Sequence, residues 1–206
     1  MTPEAEFEEI KRFLPQYLSG EAEENLFSNL SHFPDNIDER MYTRMLHKQP
    51  TFYQGDGVRG MPFINIPDPR LAPLPAMIIS NTCDLSPANI RLAPLRVLYA
   101  PIFNLGKYAE SLNASHRGNS SRVGGYIDAI RKQRVSNIFY LPTGSEGLDY
   151  EGYVPLDRLQ NAPADILREN KIPANRLFTL GDYGFYVLLF KLSIHFSRIR
   201  ENVARN

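Results

Sequence analysis

Pro73-Leu74-Pro75-Ala76-Met77-Ile78-Ile79-Ser80-Asn81-Thr82-Cys83-Asp84-Leu85 is the stretch from which the fold is read. Ala76 to Ser80 is a short apolar run between prolines and a cluster of small polar residues, the pattern of a buried strand that ends in an exposed turn. Asp84 to Asn89 continues that turn. Leu95 to Ala100 is a second such strand, stopped by Pro101. Asn137 to Leu141, Tyr150 to Val154 and Arg176 to Leu180 read as further strands. On the N-terminal side, Thr51 to Ile66 is expected to form one or two strands with turns at Gly55-Asp56-Gly57 and at Gly60. Pro67 to Pro75 carries four prolines and reads as a loop.

Helical spacing marks both ends of the chain. Phe7, Ile10, Phe13 and Leu14 predict a first helix behind Thr2-Pro3-Glu4. Glu21 to Phe33 predicts a second, with Leu26, Phe27, Leu30 and Phe33 on one face. Asn36 is placed to cap a third, carrying Met41, Met45 and Leu46. Between the strands, Asn104 to Leu112 and Tyr126 to Arg134 are helical in pattern, Asp157 to Gln160 is a helical turn, and Asn113 to Gly125 is a Gly/Ser loop. A final helix from Asp182 to Asn202 places Phe185, Leu188, Leu189, Leu192, Phe196 and Ile199 on one stripe, with Lys191, Arg198 and Glu201 opposite. Spacing too short for regular crossover units predicts an α+β fold: a small, mostly antiparallel β-barrel or bent sheet flanked by helices. The expected division is a helical extension over 1–49 and a barrel domain with inserted helices and a long C-terminal helix over 50–206.

The 206 residues include 43% hydrophobic and 22% charged side chains, enough to bury a core without disulfides or metals. Cys83 is the only cysteine and has no internal partner, and the start of the chain has neither a basic nor an apolar segment, so a cytoplasmic location is expected. The longest apolar run, Tyr183 to Phe196, is too short for a bilayer. Net charge is zero but unevenly spread: Met1 to Arg40 carries −7, and Lys107 to Val135 carries +4. Zero overall charge argues against a dedicated non-specific nucleic-acid binder, yet leaves room for a local basic surface. Arg117, Arg122, Arg131, Lys132 and Arg134 are its candidate binding residues.

For chemistry, the strand-end string offers Thr82, Cys83 and Asp84. A Cys83-dependent enzyme would need a base, and His32, His47, His116 and His195 all lie far off in sequence. Asp84 beside the thiol disfavours the thiolate. The alternative is that Cys83 is a small buried hydrophobe with Asp84 capping the turn. Gly118 to Gly125, helped by His116, Arg117 and Arg122, either cradles a phosphate or is a flexible loop. No metal-ligand spacing and no cofactor fingerprint is present, so neither group is expected.

Gln54-Gly55-Asp56-Gly57-Val58, Leu74-Pro75-Ala76-Met77-Ile78-Ile79-Ser80 and Val97-Leu98-Tyr99-Ala100-Pro101-Ile102 together resemble the strands of the MazF/PemK-like toxin barrel, over about Gln54 to Phe103. The resemblance implies an SH3-like barrel, a bacterial or phage conflict system, and metal-independent RNA cleavage by an arginine at the start of the second strand and a threonine or serine after the third. Those positions are Leu74 and Phe103 here. It therefore implies a non-catalytic or divergent barrel acting as a binding or regulatory module, with a protein or nucleic-acid partner, no membrane, and room for a homodimer. The alternative is an endoribonuclease with a rearranged site that uses Arg70, Thr82 or Arg117.

Overall fold

The computed structural model describes residues 20–86, 92–115, 119–169 and 175–196. The chain divides into two compact units, Met1–Phe33 and Pro34–Asn206. In the first, α1 (Gly20–Ser31) matches the expected second helix, starting one residue earlier and ending two residues sooner. The expected first helix lies outside the described residues.

The second unit opens with a 3-10 turn (Glu39–Met41), then β1 (Gly57–Asn65), β2 (Arg70–Ile78), α2 (Thr82–Leu85), β3 (Arg96–Pro101) and β4 (Phe103–Asn104). It continues with α3 (Leu105–Ser115), α4 (Ser120–Arg131), β5 (Ile138–Leu141), β6 (Gly152–Pro155), β7 (Gln160–Pro163), α5 (Asp165–Glu169), β8 (Arg176–Phe178) and α6 (Asp182–Phe196). The fold is α+β, with one sheet in the order β7-β3-β2-β1-β8 and a second in the order β4-β6-β5. Every strand pair is antiparallel. Among the described residues, no helix is long and apolar enough to cross a membrane.

The stretch Arg70 to Pro75, expected as loop, is strand. Pro62 of β1 stands opposite Pro73 of β2. Neither has an N–H, and the Tyr99 hydroxyl donates to the Pro62 carbonyl, which therefore points away from β2. The two prolines thus occupy a pair that exchanges no ladder hydrogen bonds. Pro75, two residues on, faces the same way as Pro73, and its carbonyl accepts from the Ile102 N–H at 2.8 Å. β3 pairs with Ala76 to Ile78, so Pro73 sits where that side of β2 is an edge and a missing donor costs nothing, while Pro75 serves Ile102 as an acceptor alone.

The larger sheet curls strongly. The Gln160 side chain on β7 donates to the Ile64 carbonyl at 2.6 Å and accepts from the Ile64 N–H at 3.0 Å. One side chain thus serves the outer edge of β1 as a neighbouring strand would. The backbone ladders themselves close no barrel among the described residues. Val58, Met61, Ile78, Val97, Tyr99 and Ala162 fill the inside of the curl. A second cluster, Leu105, Val123, Ile127, Ile130, Ile138 and Tyr140, joins α3 and α4 to β5.

A buried ion pair pins the strand ends. Arg176 Nε lies 3.0 Å from Asp56 Oδ2, with both side chains fully buried. The guanidinium also donates to the carbonyls of Leu46, His47, Gln49 and Thr51. Burial pushes the Asp56 carboxyl up to about 6, and the Arg176 charge opposes that rise.

Several other expectations are corrected. The third helix is only a 3-10 turn, capped by Asp38, while Asn36 accepts from the Tyr183 hydroxyl at 2.6 Å. Met45 is exposed. Part of the Gly/Ser loop is helix: α4 runs through Gly124-Gly125 because Val123, Ile127 and Ile130 recur on its buried face. That burial outweighs a glycine penalty of about 1 kcal/mol each. Gln160 begins a strand rather than ending a helical turn. On α6 the buried residues are Tyr183, Gly184, Tyr186, Val187, Leu188 and Lys191, whereas Phe196 is exposed. Lys191, assigned to the solvent face, is buried together with Leu188 of the expected apolar stripe, and its Nζ donates to the Gln133 carbonyl just past the end of α4. Burial holds that amine down at about 8. Arg198, Ile199 and Glu201 lie outside the described residues.

Candidate nucleic-acid interface

Register places two rings side by side: Phe103 on β4 is paired directly with Tyr153 on β6. Opposite residues on an antiparallel pair meet on one face. Their ring centroids are 5.6 Å apart. The chain then enters α3, whose first turn is capped by Asn104 Oδ1 accepting from the Lys107 N–H at 2.9 Å. This brings Tyr108 to 4.8 Å from Tyr153, with the ring planes inclined by 31°. Tyr126, on α4, follows at 6.5 Å from Tyr108. Phe63 closes the other end at 6.2 Å from Phe103, edge-on. Phe103, Tyr108, Tyr126 and Tyr153 are each half-buried, so every ring keeps part of its surface open.

An arginine stands at either end of this run. The Arg158 guanidinium sits 5.9 Å from the Phe103 ring centroid. It also lines a groove of about 260 Å³ with Phe63, Ile64, Asp157, Leu159 and Gln160. At the far end, Arg122 and Tyr126 line a cavity of about 230 Å³ with Leu112, Asn119 and Val123. Among the described residues neither arginine makes an ion pair, and both are exposed. Burial and the neighbouring Tyr108 push the Tyr126 and Tyr153 phenols up to about 12. These rings therefore stay neutral at physiological pH and set no phenolate against a phosphate.

The remaining basic candidates differ from one another. Arg131 forks onto Glu151 at 2.7 and 2.8 Å and reaches Asp128 at 3.3 Å. That fork holds the Glu151 carboxyl below its usual range. Lys132 lies 3.4 Å from Asp35. Arg131 and Lys132 are thus already matched by carboxylates. Arg134 is exposed without an ion pair, and Arg117 lies outside the described residues.

The catalytic candidates are not brought together. Arg70 begins the nine-residue β2 and pairs with Asp68 at 2.8 Å. The strand carries the chain about 26 Å before Ile78 is reached, and Thr82 lies beyond it. The Thr82 hydroxyl accepts from the Gln54 N–H at 3.0 Å, and the Gln54 amide donates to the Ile79 carbonyl at 2.8 Å. Asn81 caps the Cys83 N–H at 2.9 Å. Asp84 sits in the first turn of α2. This string ties the strand end to the Gly55 turn. Cys83 is exposed, which corrects the expectation of a buried thiol: it projects from a one-turn helix rather than from the strand. Leu74 lines a separate cleft, with Arg59 and Tyr150. Among the described residues, no group of three or more His, Cys, Asp or Glu could hold a metal ion.

Sequence reasoning missed Tyr108, Tyr153 and Arg158. They are spread over fifty residues on separate elements, and no spacing announces that they converge. Phe103 was noticed only as a position where a hydroxyl was expected. Compared with protein-family models and with curated proteins, the chain matches none.

Proposed function

We propose that this chain is a binding module for single-stranded nucleic acid, built on a divergent, non-catalytic barrel of the MazF/PemK kind. The observation that carries the reading is the half-buried run Phe103–Tyr153–Tyr108–Tyr126 with an exposed arginine at each end that makes no ion pair among the described residues. Single strands are held by bases stacked on aromatic faces, about 1–3 kcal/mol per base, and by cations along the backbone. The barrel part of the reading is supported by the antiparallel curl and by Gln160 bridging to Ile64. A role in a bacterial or phage conflict system is the setting that the resemblance implies.

Binding rather than cleavage is favoured because Leu74 and Phe103 replace the polar pair of the resembling family, and because Arg70 and Thr82 stand at opposite ends of β2. One missing oxyanion-type donor costs about 3 kcal/mol of transition-state stabilisation. A second reading, a protein partner that includes a second copy of the chain, is favoured by the exposed Phe190, Ile194 and Phe196 on α6.

A fluorescein-labelled single-stranded RNA of mixed sequence, incubated with the protein and a chelator, tests the proposal by anisotropy and by denaturing gel from the same tubes. Saturable anisotropy with intact RNA is the expected result. Specific cleavage would instead establish a rearranged ribonuclease site. Intact RNA without binding would remove the nucleic-acid reading and leave the protein partner.

A further inference from the structure

The β1 strand carries a bulge. Val58 pairs with Ala76 and Met61 with Leu74, so Arg59 and Gly60 together stand opposite Pro75. Gly60 takes φ +71°, a conformation glycine adopts without strain, and a Cβ there would meet nothing within 4 Å. The Arg59 N–H turns away from β2 to the Asn175 carbonyl at 2.9 Å. Bulges re-aim side chains, often beside ligand sites. This one turns Arg59 toward a cleft of about 490 Å³.

The cleft is walled by Pro73, Leu74, Pro75, Leu148 and Leu177, with Asp149 and Tyr150 beside them. Its far wall is held in place from behind. The Tyr42 ring lies so close to Gly147 that a Cβ there would fall 2.2 Å from it. Tyr42 also donates to the Pro142 carbonyl at 2.6 Å, and the Gly144 N–H donates to the Leu148 carbonyl at 3.1 Å. The exposed Arg59 guanidinium makes no ion pair among the described residues, and its charge bears on the Tyr150 phenol. The cleft thus sets polar groups and apolar side chains side by side in about equal share, a mixture that can orient a small molecule while burying part of it.

The geometry points to a binding site for a small organic anion: a carboxylate or phosphate held by Arg59, with an apolar or aromatic body against Leu74, Leu148 and Leu177. Asp149 accepts a donor from the same ligand and disfavours strongly polyanionic ones. This site is separate from the aromatic run and does not rest on the nucleic-acid reading.

The test is amide chemical-shift titration of the intact chain with phenylacetate and, separately, phenyl phosphate. Saturable shifts at Gly60, Gly147, Asp149 and Leu177 by about 10 mM are expected for probes of this size. Binding of one probe alone assigns the anion as carboxylate or as phosphate, and binding of both assigns it to either. Arg59→Gln, an exposed change, should keep the spectrum of the folded protein and weaken binding at least about tenfold. Leu74→Trp, which fills the cleft from the other wall, should abolish binding with Arg59 still in place. Absence of saturable shifts with both probes, or equal binding by Arg59→Gln, overturns the proposal.

Discussion

Arg176→Met removes the cation paired with Asp56 in the fully buried pair. It also strips the donors from the carbonyls of Leu46, His47, Gln49 and Thr51, and it takes away a guanidinium 5.1 Å from the Phe52 ring centroid. Methionine is similar in length, so the change leaves little void, and the loss is mainly electrostatic. Breaking a buried pair from one side costs about 3–5 kcal/mol, because the remaining charge is left without compensation. For a chain of this size each kcal/mol lowers Tm by about 2–4 °C, so a fall of roughly 6–20 °C is expected in a thermal melt followed by circular dichroism. The segment between His47 and Thr51 should open first, seen as faster limited proteolysis there than in β5. Asp56→Asn in the same background should cost less than it does alone, with a coupling of at least about 1 kcal/mol between the two changes. A Tm loss below about 3 °C for Arg176→Met, or strictly additive losses in the double variant, would refute the view that this pair pins β1 and β8.

Arg122→Ala with Arg158→Ala should weaken single-stranded RNA binding and flatten its log-log salt dependence by about 1 to 1.5, since each phosphate contact on a single strand contributes about 0.7. Anisotropy at several salt concentrations reads both, and an unchanged slope would take these arginines out of the interface. Lys191 stays largely deprotonated in the folded protein above about 8, while the unfolded chain holds that proton up to the ordinary 10.5. The unfolded state therefore binds more protons between those values, and stability from this group rises with pH. Relative to Lys191→Met, the wild type should gain Tm from about pH 7 to about 9.5, and a flat difference would mean that the amine is not buried in solution. Cys83 should react with a thiol reagent in the native protein, and Cys83→Ser should leave RNA binding unchanged. A thiol that reacts only on unfolding would contradict its exposed position on α2.

Much of the fold was legible because local patterns and tertiary demands agree. Short apolar runs bounded by proline or turn residues gave β3 and the end of β2, and Asn137 to Leu141 gave β5. The errors share a physical origin: tertiary pairing overrode local preference. Pro73 and Pro75 discourage a strand until one sees that they face an edge rather than the ladder with β1. Gly124 and Gly125 discourage a helix until Val123, Ile127 and Ile130 are seen to pack beneath it. On α6, apolar residues surround the helix, so periodicity alone could not choose the buried face, and Lys191 is accommodated on it by donating to the Gln133 carbonyl. Convergence of side chains from β4, β6, α3 and α4 is a property of topology, and single-sequence spacing holds no record of it.

The departures at Leu74 and Phe103 become intelligible together once the surroundings are known. A threonine at 103 would leave Tyr153 without its cross-strand ring, break the link from Tyr153 to Phe63, and remove the surface over which Arg158 rests. Phe103 therefore extends the run of rings by one, at the position where the resemblance alone would expect a hydroxyl. At 74, leucine gives the neighbouring cleft an apolar wall, and the cation there comes from Arg59 through the bulge in the adjacent strand. The Arg59 guanidinium thus enters the cleft from β1, a different strand from the one that carries position 74. On the two proposals above, the same fold would offer two separate binding surfaces, one including Phe103 and the other Leu74.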